Sequence, residues 1–231
     1  MNVAIIPARG GSKRIPRKNI REFCGHPMIV WSIKAAKECG LFERVIVSTD
    51  DEEIARTATR EGAEAPFMRP AELANDHAGT LPVIRHAVEW LARDGTPASH
   101  ACCIYATAPF LRAEDLISAR AMLDDGTPDF VFSITRFAFP IQRALRLDAS
   151  NTLSMFWPEH ELTRSQDLPA AYHDAGQFYW GTARAWLEND RIYSSRCCGY
   201  ELPEELVQDI DTEEDWRVAE MKFRLLCNQD T

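Results

Sequence analysis

The stretch Ala8-Arg9-Gly10-Gly11-Ser12-Lys13-Arg14-Ile15-Pro16-Arg17-Lys18-Asn19 carries the strongest chemical signal in the chain. Two adjacent glycines let backbone N–H groups approach and converge on an anion, and the Lys and Arg side chains neutralise it. Neither the P-loop spacing GxxxxGK[ST] nor GxGxxG is present, which argues against an ATPase or a dinucleotide enzyme. The same residues also read as a solvated basic loop or an import-like run. A second candidate is Gln208-Asp209-Ile210-Asp211. On a strand its two carboxylates would share one face about 6.5–7 Å apart and could hold one Mg²⁺. Asp211 can equally cap a following helix with Thr212. Tyr105-Ala106-Thr107-Ala108-Pro109 reads as a ligand rim or as a plain turn. Thr163-Arg164-Ser165-Gln166-Asp167, with Tyr172-His173-Asp174-Ala175-Gly176-Gln177-Phe178-Tyr179, suits an acidic sugar or a subunit contact.

Charge sharpens the first candidate. The net charge is −9, yet residues 1–21 hold six Lys and Arg and no Asp or Glu, leaving −15 on the other 210 residues. A nucleic-acid binder spreads its cations along a face. One concentrated basic loop on an acidic body points to a small anionic ligand, and no aromatic-basic stacking face for RNA is present. The seven cysteines are odd in number and lack any CxxC, so neither a disulfide framework nor a zinc site is indicated. The six His residues show no metal-ligand spacing. No apolar run is long enough to span a bilayer, and the N-terminal run, apolar before basic and without a small-residue cleavage site, does not read as a signal peptide, so a cytoplasmic protein is expected, with no membrane and no nucleic-acid partner.

The elements that must position these residues follow from periodicity. Val3–Ala8 is a short apolar run, expected as a buried parallel strand that ends where the basic loop begins. Helical period runs from Pro27 to Cys39, with Gly40 at the C′ position. Val45–Val47 reads as a strand, Ser48-Thr49-Asp50-Asp51 as N-cap candidates, and a short helix reaches Arg60 before Gly62. Thr80 is expected to cap a helix that buries Leu81, Ile84, Val88 and Leu91. His100–Ala106 and Phe130–Thr135 read as strands, with Ala113–Leu123 helical between them. This β/α alternation predicts an α/β fold, a Rossmann-like, mostly parallel sheet flanked by helices. Residues 136–176 break the rhythm and are expected to form an inserted arm with a small hairpin near Leu145–Phe156. Gln177–Trp180 and Leu206–Ile210 read as late strands. Thr212 with Asp215 starts a closing helix whose Trp216, Ala219, Phe223 and Leu226 form its buried stripe. One domain over residues 1–231 is expected.

Taken together, IIPARGGSKRIPRKNI, STDDEEIA, RPAEL, ATAP and QDID occur in the order seen in nucleotide-activating sugar transferases of the CMP-acylneuraminate synthetase type, and the chain resembles that family over nearly its whole length. FMRPAELANDHAGTLPVIRHA, FAFPIQRA and YHDAGQFYW are similar to the branch acting on pseudaminic acid. Sialic acid synthetases usually carry a Gln-Pro-Thr-Ser-Pro-type motif where this chain has Tyr105–Pro109. The resemblance implies a Mg²⁺-dependent reaction in which CTP and a nine-carbon acidic sugar give a CMP-sugar and pyrophosphate, the sugar 2-hydroxyl attacking the α-phosphorus. Legionaminic acid, N-acetylneuraminic acid and KDO are alternative sugars, and a nucleotide sensor without catalysis is the alternative of another class. By resemblance Arg9, Lys13 and Lys18 hold the triphosphate, within a nucleotide site of Ala8, Arg9, Gly10, Gly11, Ser12, Lys13, Lys18, Asn19, Arg69 and Thr80. Lys18, Arg9 and Asp211 are the catalytic candidates, with roughly five cations of the loop facing about four charges on the triphosphate. Asp209 and Asp211 would bind the metal, and Tyr105, Thr107, Arg164, Gln166 and Tyr179 the sugar. The fold implied is that of nucleotide-diphospho-sugar transferases, with the arm packed across a homodimer axis and flagellin or surface-polysaccharide glycosylation downstream.

Overall fold

The computed structural model describes the chain apart from His77, Asp125, Thr127, Ser195, Asp230 and Thr231, and the side chains of residues 228 and 229. His77, part of the FMRPAELANDHAGTLPVIRHA segment, therefore lies outside the described residues. The strands and helices in chain order are β1 (Asn2–Pro7), β2 (Glu22–Phe23), β3 (His26–Pro27), α1 (Met28–Glu38), β4 (Arg44–Ser48), α2 (Glu52–Arg60), α3 (Thr80–Arg93), β5 (His100–Ile104), α4 (Ala113–Ala121), β6 (Phe130–Arg136), β7 (Leu145–Leu147), β8 (Leu153–Met155), β9 (Tyr172–Thr182), α5 (Ala183–Glu188), β10 (Cys197–Glu201) and α6 (Glu213–Gln229).

Six strands form the central sheet in the order β10-β6-β9-β5-β1-β4. All pairings are parallel except those of β9, which runs antiparallel to both β5 and β6. Alternate residues of each buried strand feed opposite cores, as strand geometry requires. Ile6, Val47, Ile104 and Trp180 pack under α1, α2 and α4, whereas Ile5, Ile46, Cys103 and Tyr179 pack under α3 and α5. This is the mostly parallel sheet between helices that the β/α alternation predicts. No helix among the described residues is long and apolar enough to cross a membrane.

Local chemistry sets most boundaries. Asp51 is the N-cap of α2, accepting from the backbone N–H of Glu53 and Ile54. Gly40 follows α1 at φ +66, the left-handed C′ position where glycine avoids a Cβ clash. Leu81, Ile84, Val88 and Leu91 are all buried on α3. Thr80 is not the cap of that helix. Gly79 takes the N-cap and the Thr80 hydroxyl is instead engaged with the Tyr105 hydroxyl at 2.9 Å.

Leu206–Ile210 is also not a strand. A 3-10 turn at Glu204–Leu206 leads into irregular chain: Leu206 and Ile210 both sink into a third cluster beneath α6, and among the described residues no strand pairs with them. Residues 137–171 form the arm, with the β7–β8 hairpin at its centre. It buries little: Phe139 is 82% exposed and Leu162 94%.

Candidate active site

A cavity of about 610 Å³ opens at the C-terminal ends of β1 and β5. Open α/β sheets bind ligands at this edge. Its walls are the basic loop (Arg9, Ser12, Lys13, Arg14, Lys18, Asn19), Arg69, Leu73, Asn75, Asp76, the run Ala78–Thr80, the turn Tyr105–Thr107, and Asp211. Two candidates whose Lys18 and Asp211 lie 193 residues apart in sequence thus meet in one place.

Two isolated apolar residues explain the meeting. Ile15, inside the basic loop, and Ile210, between the two aspartates, are fully or almost fully buried in the same cluster with Trp216 and Phe23. With Ile15 and Ile210 sunk, their polar neighbours are left at the surface of the cluster, facing one another. Lys18 Nζ donates to the Ile210 carbonyl at 2.6 Å and lies 3.4 Å from Asp211 Oδ1, which also pairs with Arg14 at 2.8 Å. Asn19 is 8% exposed, and its side-chain N–H donates to the Arg9 carbonyl at 2.9 Å, tying the two ends of the loop together. Arg69, 7% exposed, donates to the Ser48 hydroxyl at 3.1 Å and to the Ser48 carbonyl. Burial lowers its guanidinium to about 10, so it stays charged at neutral pH in the cavity wall.

Every loop cation has an acidic partner. Asp76 pairs with Arg9 at 2.7 Å and with Lys13 at 2.5 Å, and these hydrogen bonds, Lys13's first, hold its carboxyl below the usual range. Arg17 bends at φ +56 and turns away to Asp51 and Glu53, and Arg21 reaches Glu213 on α6. Four cations of the loop therefore line the cavity rather than five, and Arg69 is the fifth charge there.

The glycine pair is used differently from an open anion nest. The Gly10 N–H donates to Asp50 Oδ1 at 2.9 Å, and a Cβ at Gly10 would lie 2.7 Å from Asp51 Oδ2. Gly10 is thus required for close approach to the α2 cap, while Gly11 faces open space and the Ser12 N–H closes a turn onto the Gly10 carbonyl. Ala8 is buried at the end of β1, where its N–H donates to the Ser48 carbonyl. Tyr105, Thr107 and Thr80 line the cavity directly. Tyr179 is 3% exposed behind Tyr105, their ring centroids 5.4 Å apart. Arg164 and Gln166 are not brought to this cavity. Arg164 lies on the arm and pairs with Asp167 at 2.8 Å, and Gln166 lines a separate groove of about 510 Å³ between the arm and Glu201–Glu204. Asp76 is the charged residue of the cavity that sequence reasoning passed over, and it counts Arg14 only as one of the loop's cations. Asp76 sits in a polar stretch with no periodicity, and only its pairing with Arg9 and Lys13 marks it.

Asp209, separated from Asp211 by buried Ile210, is exposed and does not line the cavity as Asp211 does. Among the described residues no cluster of three or more His, Cys, Asp or Glu side chains could hold a metal alone. The donor set of Asp209 and Asp211 nevertheless fits a hard divalent cation. Desolvation first, and then the charge of Asp211, push the Asp209 carboxyl up, an environment that a cation would relieve. Two carboxylates with phosphate oxygens completing the shell is the usual arrangement for Mg²⁺.

Residues 3–229 match a family model described as cytidylyltransferase. The chain is 46% identical to the pseudaminic acid cytidylyltransferase of Campylobacter jejuni serotype O:2, over 97% of each chain. It is 35% identical to a longer Helicobacter pylori protein, described as pseudaminic acid cytidylyltransferase and UDP-2,4-diacetamido-2,4,6-trideoxy-beta-L-altropyranose hydrolase, covering 98% of this chain and 45% of that one. The fold is shared with a CMP:2-keto-3-deoxy-manno-octonic acid synthetase complexed with CTP, at a TM-score of 0.69, 19% identity and coverage of 100% and 99%.

Proposed function

We propose that this chain, which belongs to the cytidylyltransferase family, is a nucleotidyltransferase that joins CMP from CTP to pseudaminic acid and releases pyrophosphate. The observation that carries the reading is the convergence of Arg9, Lys13, Lys18 and Asp211 on one cavity at the sheet's ligand edge, in a chain 46% identical to a pseudaminic acid cytidylyltransferase.

The reaction is an in-line displacement that needs positioning and charge neutralisation more than covalent chemistry. Arg9, Lys13, Arg14 and Lys18 offset the triphosphate, whose charge is about −4 at neutral pH. Lys18, fixed by the Ile210 carbonyl, is positioned to stabilise charge that develops on the phosphate oxygens. Asn19, Arg69 and Thr80 form the wall for base and ribose, and Thr107 lies beside them. Asp209 and Asp211 would hold Mg²⁺, which when bound offsets phosphate charge. Asp211, within the cavity wall, is also placed to accept the proton of the attacking hydroxyl.

The protein is read as a homodimer. The exposed apolar surface of the arm, including Phe139, Leu162 and Trp157, favours a second copy of this chain, and Arg164 would then serve the partner's sugar carboxylate.

The deciding experiment offers CTP and Mg²⁺ with pseudaminic, legionaminic and N-acetylneuraminic acids in parallel and measures pyrophosphate. Release with pseudaminic acid alone is expected. Release only with another acid replaces the sugar, and CTP binding without release from any acid replaces the enzyme with a sensor.

A further inference from the structure

Strand β9 does not run evenly past β6. Phe132 faces Tyr179 and Ile134 faces Asp174, so Ser133 alone spans the chain between them. Its hydroxyl accepts from the N–H groups of Gln177 and Phe178, each at 3.2 Å. Gly176 turns at φ +65, its N–H donating to Asp174 Oδ1 at 2.8 Å. Bulges re-aim side chains and recur beside active sites. This one sets the Asp174 carboxylate where Oδ2 accepts from the Tyr179 hydroxyl and, at 2.8 Å, from the Tyr193 hydroxyl.

Asp174 joins none of the ion pairs among the described residues; its charge is met by two phenols and one backbone N–H. Burial pushes both phenols up, so they remain protonated donors at neutral pH. A phenol that gives its only proton to Asp174 keeps oxygen lone pairs as acceptors. The hydroxyls of Tyr105 and Thr80 extend this polar wall into the cavity. Behind the cavity's Tyr105 there is therefore a second electrostatic zone, opposite in sign to the basic loop. Cations at the basic loop draw phosphate and carboxylate, while an unpaired carboxylate and its phenols repel anions and receive N–H and O–H donors.

We propose that Asp174 is a positioning residue for the sugar, fixing the Tyr179 and Tyr193 oxygens as acceptors for the sugar's hydroxyl and acylamino N–H groups and orienting its carboxylate toward the cations. The inference rests on the cytidylyltransferase reading. The test compares Asp174→Asn, Tyr193→Phe and the double variant by steady-state pyrophosphate release with the active sugar, alongside direct CTP binding. Asp174→Asn is expected to raise the sugar KM about tenfold, the loss of roughly one charge-assisted hydrogen bond, with the CTP Kd held within about twofold. Tyr193 is 56% exposed, so Tyr193→Phe should fold normally, raise the sugar KM about threefold, and add nothing in the Asp174→Asn background. An unchanged sugar KM in either single variant, an equal loss of CTP binding, or full additivity overturns the role of Asp174 alone. Absence of release by the unaltered protein with every acid overturns the enzymatic reading, and this proposal with it.

Discussion

The basic loop and the arm are both irregular chain, yet they are held in opposite ways. The loop is pinned from below by Ile15 and from the sides by paired charges, so its functional groups have fixed neighbours within the same chain. The arm has a two-stranded hairpin with no helix over it, and its large apolar residues face outward. A preorganised site costs little reorganisation when ligand arrives, whereas an apolar surface left bare gains its stability from a partner. On the proposed reading the loop acts and the arm is covered.

The sharpest break in that comparison is Lys18→Ala. It removes a charge from the cavity and a 2.6 Å bond to the Ile210 carbonyl, but not the Ile15 anchor. kcat is expected to fall about a thousandfold, as for loss of a preorganised donor. Stability should fall by only about 1 kcal/mol, read as roughly 2–4 °C in the thermal midpoint. Activity within tenfold of the unaltered protein would remove Lys18 from the catalytic set. On the arm, Phe139→Asp with Leu162→Asp should convert a dimer to a monomer in sedimentation, because both side chains are exposed in one copy and an interface would desolvate the new charges. CTP binding should stay within about twofold. A protein already monomeric before substitution would end the arm's role as an interface.

The same contrast explains what could be read in advance. Strands β1, β4 and β5 and helices α1 and α3 carry continuous apolar runs or a clean helical stripe, and each packs in place because its own pattern demands it. The cavity wall was legible too, since a glycine-rich basic run after a buried strand has one place to go. Leu206–Ile210 misled because apolar residues four apart, buried in a cluster, look like a short strand until a neighbour is sought. β10 went unseen because its sequence CCGYE is half exposed and pairs only with β6 at the sheet edge. The antiparallel direction of β9 and its bulge at Ser133 are set by strands distant in sequence, so no local pattern encodes them. Nor does any spacing announce that Asp76 will meet Arg9 and Lys13.

The aspartate pair offers a subtler test. Asp209→Asn should raise the Mg²⁺ needed for half-maximal rate about tenfold, yet raise rather than lower the thermal midpoint in metal-free buffer. The carboxyl is pushed up by partial desolvation and by Asp211, so its charged form disfavours the folded state above that raised pKa, and the amide relieves this at neutral pH. A Mg²⁺ requirement unchanged in both Asp209→Asn and Asp211→Asn would leave the pair a purely structural one.

The smallest effect belongs to Asp76. Its carboxylate sits against Arg9 and Lys13, so if these two cations hold the triphosphate as proposed, bound CTP and Asp76 compete for them. Both ion pairs are solvent-exposed, and such pairs hold only weakly. Asp76→Asn should therefore tighten CTP binding by about threefold and not more, while keeping a hydrogen-bonding side chain of the same size in the wall. Removing an anion beside the site also makes the local potential more positive, so the logarithm of the CTP Kd should rise more steeply with salt than in the unaltered protein. If Asp76→Asn instead weakens CTP severalfold, the carboxylate is holding Arg9 and Lys13 in their binding positions. The loop would then owe its order to its charges as much as to Ile15, and the line drawn between the pinned loop and the uncovered arm would move to the apolar contacts alone.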